Sequence, residues 1–282
     1  MERRVKKQIT GYRTQDGAGV SLVRVLGNET VADFDPILML DSFDSTDPKA
    51  YTAGFPMHPH GGIETISYIW QGKMVHRDSL KNEDSICSGE VQWMTAGSGI
   101  LHEEQIPAAK RLLGVQLWLN LPSADKMCPP AYHSIKNSEI PEVSFAGGFL
   151  RVLAGEYQEV KGYQSHYLPM DYYDIHLEAN ASLTLPVDPD RSIMAFTLLN
   201  DALICDTPVK SKTAAKLTQG DTVIISAQEK PAQVLLMSSI ALKEPVAWNG
   251  PIVMNTNLQL KQAFNDLQAG TFIRKTMSYD KN

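Results

Sequence analysis

The sequence predicts an all-β protein of the sandwich or barrel kind, and three observations support this prediction. Most of its apolar segments are short and rich in β-branched and aromatic residues. Gly, Pro, Asn or Asp separate these segments, as turns separate the strands of such folds. Helical periodicity occurs in few places, and the best example lies near the C-terminus. We therefore expect many short strands and a few short helices.

The predicted strands follow one another along the whole chain. The clearest segments are ISYIW (66–70), LLGVQLWLNL (112–121), FLRVLAG (149–155), SLTLPV (182–187), IMAFTLL (193–199) and VLLMSSI (234–240). The second segment alternates between two sets of side chains, which are Val115, Leu117 and Leu119 on one side and Gln116, Trp118 and Asn120 on the other. A period of two is typical of a strand, whose successive side chains leave opposite faces.

The predicted helix covers NTNLQLKQAFNDLQAG, residues 255–270. Thr256 or Asn257 can cap its start, and Gly270 suits its end. Apolar residues recur at helical spacing between these positions. A second departure from the strand pattern is CPPAYHSIKNSEIPEV, residues 128–143, which is rich in Pro, Ser and Asn. We interpret this run as the connection between two β domains of similar size.

Composition excludes several classes of function. The chain has 282 residues and a formal charge of -6, so it lacks the clustered positive charge that a general nucleic-acid grip requires. Its one basic cluster, Arg3-Arg4 with Lys6-Lys7, is expected to be a frayed and solvated end. The N-terminus has no apolar stretch behind its charges, and no run approaches a membrane span. Three dispersed cysteines indicate free thiols in a reducing compartment. These features predict a cytoplasmic protein that does not span or bind a membrane.

The first candidate site lies in FPMHPHGGIETISYIW, residues 55–70, which contains His58 and His60. In a strand these two side chains leave the same face and lie roughly 7 Å apart along the chain. Two imidazoles can therefore converge on one point, which is how strands hold a metal ion.

A second segment, GEVQWMTAGSGILHEEQ (89–105), places His102 and Glu104 on one face of a predicted strand. Two neighbouring strands would then offer three imidazoles and one carboxylate to a single ion. This donor set suits a borderline divalent metal and suits Ca²⁺ poorly. Four protein ligands leave positions open for water, substrate or O₂, which is typical of catalytic metal sites.

Other residues compete with this set. Glu64 has the same parity as His58 and His60, and parity alone cannot choose between Glu64 and Glu104, because Gly61-Gly62 could bend the strand. The carboxylate that does not bind could orient a ligand ring. His176 repeats the His-x-Glu spacing with Glu178 and is expected to lie on a surface strand, while the remaining histidines, with His76 and His133, are expected to be structural. Four further residues could line a pocket but are more often core, and these are Met57, Trp70, Trp93 and Met94.

Three segments give the sequence a family resemblance. FPMHPHGGIETISYIWQG, QWMTAGSGILHEE and GPIVMNTNLQLKQAF closely resemble the pirin family, a branch of the cupin superfamily. The resemblance implies two tandem cupin β-barrels, a bicupin. Residues 1–135 would form the N-terminal metal-binding cupin domain and residues 136–282 a metal-free cupin-like domain. It also implies that the metal ligands are His58, His60, His102 and Glu104.

The resemblance implies a function as well. Some bacterial pirins resemble quercetin 2,3-dioxygenases, which open the central ring of a flavonol with O₂ and release carbon monoxide. Fe²⁺ is then the first expected ion, and Ni²⁺, Cu²⁺, Mn²⁺, Co²⁺ or Zn²⁺ would suit the same ligands. The substrates would be a phenolic small molecule and O₂, with Glu104 either accepting a proton in catalysis or remaining a permanent ligand. The alternative is a non-enzymatic regulator whose metal changes its binding to a transcription factor or metabolic enzyme. We expect a monomer.

Overall fold

The computed structural model of the chain describes residues 1–274. Strands dominate this part of the chain, which confirms the all-β prediction. The strands of its first half are β1 (Val5–Thr10), β2 (Tyr12–Asp16), β3 (Val20–Leu26), β4 (Ile37–Ser45), β5 (Phe55–His60), β6 (Ile63–Gln71), β7 (Lys73–Asp78), β8 (Glu83–Cys87), β9 (Glu90–Thr95), β10 (Ile100–Gln105), β11 (Leu112–Asn120) and β12 (Ala131–Ile135).

The second half continues the same pattern. Its strands are β13 (Glu142–Phe145), β14 (Gly148–Ala154), β15 (Glu156–Tyr157), β16 (Val160–Lys161), β17 (Met170–Leu177), β18 (Ser182–Pro186), β19 (Ser192–Leu199), β20 (Ala202–Ile204), β21 (Thr207–Val209), β22 (Thr213–Leu217), β23 (Thr222–Ala227), β24 (Ala232–Ser239), β25 (Ala247–Asn249) and β26 (Ile252–Met254). The α-helices are α1 (Val31–Phe34) and α2 (Asn257–Ala269), and short 3₁₀ turns cover Asn28–Thr30, Pro48–Ala50, Ser123–Asp125 and Asn137–Glu139.

The chain forms two compact units, and each is assembled from more than one stretch. The first, which we call the His-site unit, comprises Arg13–Leu22, Ile37–Lys136 and the chain from Leu242. The second unit comprises Met1–Tyr12, Val23–Pro36 and Asn137–Ala241. The predicted functional division between residues 135 and 136 stays a prediction.

Two large sheets build most of the His-site unit, and β25 and β26 add a two-stranded sheet. One large sheet has seven strands in the order β12-β9-β6-β11-β4-β3-β2, and the other has four in the order β5-β10-β7-β8. A core cluster joins side chains from both sheets, and its members are Val20, Leu22, Phe43, Tyr51, Ile69, Met74, Ile86, Ile106 and Leu112. Fully burying one such aliphatic side chain contributes about 1.5–3 kcal/mol, so this core fixes the strands that carry the site.

The second unit has two large sheets, a two-stranded sheet of β15 and β16, and its own apolar core. The strand orders of the large sheets are β1-β22-β19-β24-β17-β14-β13 and β18-β23-β20-β21. The core is formed largely by aliphatic residues such as Leu150, Ile175, Ile193 and Leu236, all fully buried. This unit therefore has the means to be stable without a disulfide, and the three cysteines of the chain are free thiols.

The N-terminal segment corrects one expectation. We expected the basic cluster at residues 3–7 to be frayed, but β1 pairs antiparallel with β22, and the Arg3 side chain is only 1% exposed. The guanidinium donates to backbone carbonyl oxygens of Gly220, Arg191, Thr218, Asp188 and Pro189. A guanidinium has five N–H donors, and these carbonyls satisfy them without a carboxylate partner. Arg3 therefore fastens the segment to its own unit.

Helix α2 confirms the predicted caps. Thr256 is its N-cap, where the Thr256 hydroxyl accepts from the Gln259 amide and the Gln259 side chain accepts from the Thr256 amide. Gly270 ends the helix in the left-handed region, with φ of 70°. The run 128–143 differs from its prediction, because residues 131–135 form strand β12, which pairs with β9. Across residues 1–274 no helix has both the length and the apolarity needed to cross a membrane.

Candidate metal centre

Strands β5 and β10 bring the predicted ligand segments together. They pair antiparallel, with His102 opposite His58 and Ile100 opposite His60. The pairing is irregular between His102 and Glu104. On its other side β10 pairs with β7, which sets His102 opposite Asp78 and Glu104 opposite His76. The expectation that His-x-His and His-x-Glu lie on neighbouring strands is confirmed.

A glycine turn separates the first two histidines from the strand that follows. Strand β5 ends at His60 and β6 begins at Ile63. Gly62 has φ of +74°, and a Cβ at this position would lie 1.9 Å from the Val253 carbonyl oxygen. Glycine is therefore required both for the left-handed backbone and for the close approach of β26. Because this turn interrupts the strand, the alternation of side-chain directions cannot be continued from His60 to Glu64.

The three histidines form one cluster. In residues 1–274 we find a single group of three or more metal-type side chains whose ligand atoms all lie within 4.8 Å, and it consists of His58, His60 and His102. His60 and His102 are 3% and 1% exposed, whereas His58 is half-buried. The Nε2 atoms of His58 and His60 are 3.1 Å apart. Three imidazoles thus converge where the strand pairing predicts.

Backbone carbonyls determine where the first two rings carry their protons. His58 Nδ1 lies 2.8 Å from the Pro56 carbonyl oxygen, and His60 Nδ1 lies 3.0 Å from that of Pro251. A carbonyl oxygen only accepts, so each Nδ1 carries the hydrogen and donates it. The Nε2 atom of a neutral ring then has a free lone pair. These lone pairs are on the Nε2 atoms of His58 and His60, which lie 3.1 Å apart.

His102 completes the arrangement with a buried nitrogen that has no protein partner. Its Nε2 is enclosed and makes no hydrogen bond, while its Nδ1 lies 3.4 Å from His76 Nδ1. Leaving a buried polar atom unpaired costs about 1–3 kcal/mol, so such an atom calls for an explanation. A ligand that binds this nitrogen would supply one.

Burial also keeps the rings of His60 and His102 unprotonated. Desolvation, reinforced by His58, lowers the pKa of His60 to about 3. Desolvation and the imidazoles of His60, His58 and His76 hold the pKa of His102 well below its usual value. Metal ions bind the neutral imidazole, so the lone pairs are available at neutral pH. The donor set, the orphaned Nε2 and the neutral rings together fit a divalent transition metal.

Glu104 lies on the same strand as His102, but it is not a member of the three-histidine group. Its carboxylate is 1% exposed. Gln92 Nε2 donates to Oε1 at 2.7 Å, and Gln116 Nε2 lies 3.1 Å from Oε1 and 3.0 Å from Oε2. A carboxylate has about four lone-pair sites, so these amides leave acceptor capacity for an ion or a proton. The predicted role of Glu104 as fourth ligand stays a prediction.

Glu64 lies on a different sheet. It stands opposite Thr95 and Leu119 in the seven-stranded sheet, and its Oε1 accepts a hydrogen bond of 2.6 Å from the Thr95 hydroxyl. Burial raises the pKa of Glu64, although hydrogen bonds from Thr95 and Trp93 oppose the shift. Its observed partner is therefore a hydroxyl of the seven-stranded sheet, and Glu64 is not a member of the imidazole group.

The other residues singled out from the sequence have varied positions. Trp93 and Met94 are buried on β9, Trp70 is half-buried, and Met57 is 51% exposed. His176 pairs with Asp174, with 2.8 Å between Nε2 and Oδ2.

Three neighbours of the cluster were missed. Trp118 packs edge-on against His60, with ring centroids 5.0 Å apart. Gln116 contacts Glu104, and the buried His76, expected to be structural, faces His102. Part of this arrangement could have been inferred from the alternation in β11. All nine of its residues are buried, so the polar side chains on one face of the strand must find partners inside the protein.

Comparisons with known proteins identify the family of the chain. The family profile described as Pirin matches residues 19–119, and that of the Pirin C-terminal cupin domain matches residues 172–273. A pirin-like protein of Caulobacter vibrioides is 39% identical over 96% of this chain and 99% of its own length. Human pirin is 33% identical over 94% of this chain and 92% of its own.

A solved structure extends the comparison to the fold. The crystal structure of quercetin 2,3-dioxygenase from Acinetobacter baumannii is 31% identical, with a TM-score of 0.89 over 96% of this chain and 99% of that protein. The expectation of a bicupin is thereby confirmed. With both family profiles matched in order along the sequence, the chain belongs to the pirin family of cupin proteins.

Proposed function

We propose that this protein is a metal-dependent dioxygenase that cleaves flavonols such as quercetin with O₂ and releases carbon monoxide. The observation that carries the proposal is the cluster of three converging imidazoles, in which the buried Nε2 of His102 has no hydrogen-bond partner and the Nε2 atoms of His58 and His60 lie 3.1 Å apart. The likeness to the Acinetobacter quercetin 2,3-dioxygenase supports the choice of substrate.

The proposed ligands are His58, His60, His102 and Glu104. Fe²⁺ is the first candidate ion, and Ni²⁺, Cu²⁺, Mn²⁺, Co²⁺ and Zn²⁺ suit the same nitrogen and oxygen donors. A bound metal would hold the 3-hydroxyl oxygen of the flavonol and lower its pKa, as it does for water.

Glu104 is proposed to receive the proton of that hydroxyl. Gln92 and Gln116 donate to its carboxylate and hold it in one orientation, which a proton acceptor requires. Burial of Glu104 and His102, each 1% exposed, keeps bulk water away from the proton transfer. The proton leaves the 3-hydroxyl oxygen and goes to a carboxylate oxygen of Glu104. If Glu104 is instead a permanent ligand, its loss would remove metal and turnover together.

The test is aerobic turnover of quercetin after reconstitution with each of the six metals separately. Loss of the flavonol absorbance and release of carbon monoxide are followed together. His60→Ala and Glu104→Gln are assayed beside the wild type, with His166→Ala as a control because His166 is exposed and outside the cluster. We expect metal-dependent carbon monoxide release that the first two variants lose and the control keeps.

Tight metal binding without turnover for every ion would overturn the dioxygenase proposal. The regulatory alternative would then be tested by comparing the proteins captured by the reduced and the oxidised metal forms. A partner that binds only one form would support that alternative.

A further inference from the structure

A row of three hydrogen-bonded side chains, His102, His76 and Asp78, leads from the histidine cluster into the protein. His102 Nδ1 lies 3.4 Å from His76 Nδ1, and His76 Nε2 lies 3.2 Å from Asp78 Oδ2. His76 is fully buried and Asp78 is 7% exposed. The residues are held by the β7–β10 pairing, where Asp78 stands opposite His102. The pairing of β7 with β10 therefore fixes the positions of His102, His76 and Asp78 relative to one another.

The direction of the hydrogen bonds follows from the last member. Asp78 Oδ1 accepts from the Leu80 amide at 2.9 Å and the Asn82 amide at 3.1 Å. Burial raises the pKa of Asp78, but hydrogen bonds from His76, Asn82 and Leu80 outweigh it and leave the pKa below its ordinary value. Asp78 is then a carboxylate, which only accepts.

The tautomers of both histidines follow. Because Asp78 accepts, His76 carries a proton on Nε2, and when the ring holds this single proton its Nδ1 is an acceptor. His102 must then donate from Nδ1, which leaves its Nε2 with a bare lone pair. That nitrogen is the buried atom without a partner. The opposite tautomer of His102 would place a hydrogen where the ion is expected.

A second contact ties this row to Glu104. The His76 ring stacks on Tyr132, with centroids 4.1 Å apart and an angle of 18°. The Tyr132 hydroxyl donates to Gln92 Oε1 at 3.4 Å, and Gln92 donates to Glu104 at 2.7 Å. His76 thus contacts His102 directly and is linked to Glu104 through Tyr132 and Gln92.

We propose that His76 is a positioning residue of the metal centre, which, with Asp78 behind it, fixes the tautomer and orientation of His102. A hydrogen-bonded partner on the non-ligating nitrogen of a metal-binding histidine typically changes metal affinity by about 10–100-fold. The inference rests on the metal site of the proposed function, but it does not depend on dioxygenase chemistry. It is therefore tested without flavonol and without O₂.

The first measurement is the tautomer of His102 in the metal-free wild type. Nitrogen-15 NMR of the imidazole rings distinguishes a protonated nitrogen from a bare one, and His102→Ala identifies the signals of residue 102. We expect a bare Nε2 and a protonated Nδ1. A proton on Nε2 of His102 would overturn the proposal, and this result needs no variant of His76.

The second measurement is metal affinity, by competition with a chelator under anaerobic conditions with Fe²⁺ and with Ni²⁺. His76→Phe keeps an aromatic ring on Tyr132 but removes both nitrogens, whereas His76→Gln retains an acceptor and a donor. We expect His76→Phe to bind about 10–100-fold more weakly and His76→Gln to recover most of the loss. His133→Phe makes the same change on the half-buried β12 strand, outside the cluster, and serves as the control.

Asp78→Asn gives a sharper version of the same test. The new amide oxygen would keep accepting from the Leu80 and Asn82 amides, which turns its N–H₂ group toward His76. His76 would then donate from Nδ1, and His102 would carry its proton on Nε2. We expect this reversal in the NMR spectrum together with weakened metal binding. Equal affinities of the wild type, His76→Phe and Asp78→Asn would overturn the proposal.

Discussion

The Nε2 atoms of His58 and His60 lie 3.1 Å apart, while both Nδ1 atoms donate to backbone carbonyls. When both rings carry only their Nδ1 proton, the two Nε2 lone pairs repel at this distance unless something positive lies between them. Two nitrogens that each lie about 2.1 Å from one ion, at roughly a right angle, are separated by about 3.0 Å. The pair is therefore arranged for a shared cation by contacts that the chain itself provides.

Loss of any one imidazole should weaken metal binding strongly. His58→Ala, His60→Ala and His102→Ala each remove a converging nitrogen. Changes to supporting residues cost about 10–100-fold in affinity, so we expect more than about 100-fold for a ligand itself. Calorimetric titration of the metal-free protein measures the effect, with the exposed His166→Ala as control. A variant that binds as tightly as His166→Ala would show that its ring is not a ligand.

Substitution by alanine should destabilise the protein far more at Gly62 than at Gly250. In Gly62→Ala the new Cβ would meet the Val253 carbonyl oxygen at 1.9 Å, with φ of +74°. Gly250 also has positive φ, at +53°, but nothing lies within 4 Å of its Cβ position. We expect Gly250→Ala to lose about 1–2 kcal/mol of unfolding free energy and Gly62→Ala at least about 3 kcal/mol. Urea denaturation compares them, and equal losses would contradict the steric account.

Lys126 should give the unfolding free energy a pH dependence. Lys126 is 1% exposed, and burial lowers its pKa to about 7, while its Nζ donates to Gly62 and Asn120. Between pH 7 and about 10 the unfolded chain keeps this proton and the folded chain releases it. The free energy of unfolding should therefore rise with pH by up to about 1.4 kcal/mol per unit.

Denaturation of wild type and Lys126→Met at pH 7, 8 and 9 isolates this contribution, because the other titrating groups cancel in the difference. The difference should shift in favour of the wild type as the pH rises. A constant difference would mean that Lys126 titrates alike in both states.

The amides that hold Glu104 should affect turnover more than metal content. Gln116→Met removes a donor to both carboxylate oxygens with little change in volume. If Glu104 accepts the substrate proton, we expect kcat/KM for quercetin to fall by about 10–100-fold. Metal content, measured by elemental analysis, should stay near the wild-type value. Gln228→Met, at an exposed position, is the control, and unchanged turnover in Gln116→Met would remove Gln116 from the proposed proton transfer.

Local periodicity was enough to predict the strand faces and the helix caps. Alternation placed His58 with His60 and His102 with Glu104 on common strand faces, and the structure pairs those strands. The caps of α2 were also readable, because Thr256 and Gly270 act on neighbouring backbone groups. These features involve residues that are close in sequence, so their geometry follows from chain stereochemistry.

Contacts between side chains that are distant in sequence could be seen only in the folded structure. Strand register brings His76 to His102, the packing of one sheet on the other brings Gln116 to Glu104, and the turn at Gly62 places Glu64 on another sheet. Arg3 finds its carbonyl partners more than 180 residues away. A one-residue slip in register would reverse every face, and no local pattern fixes which strands pair. The ligand candidates were therefore readable from the sequence, whereas the residues that orient them were not.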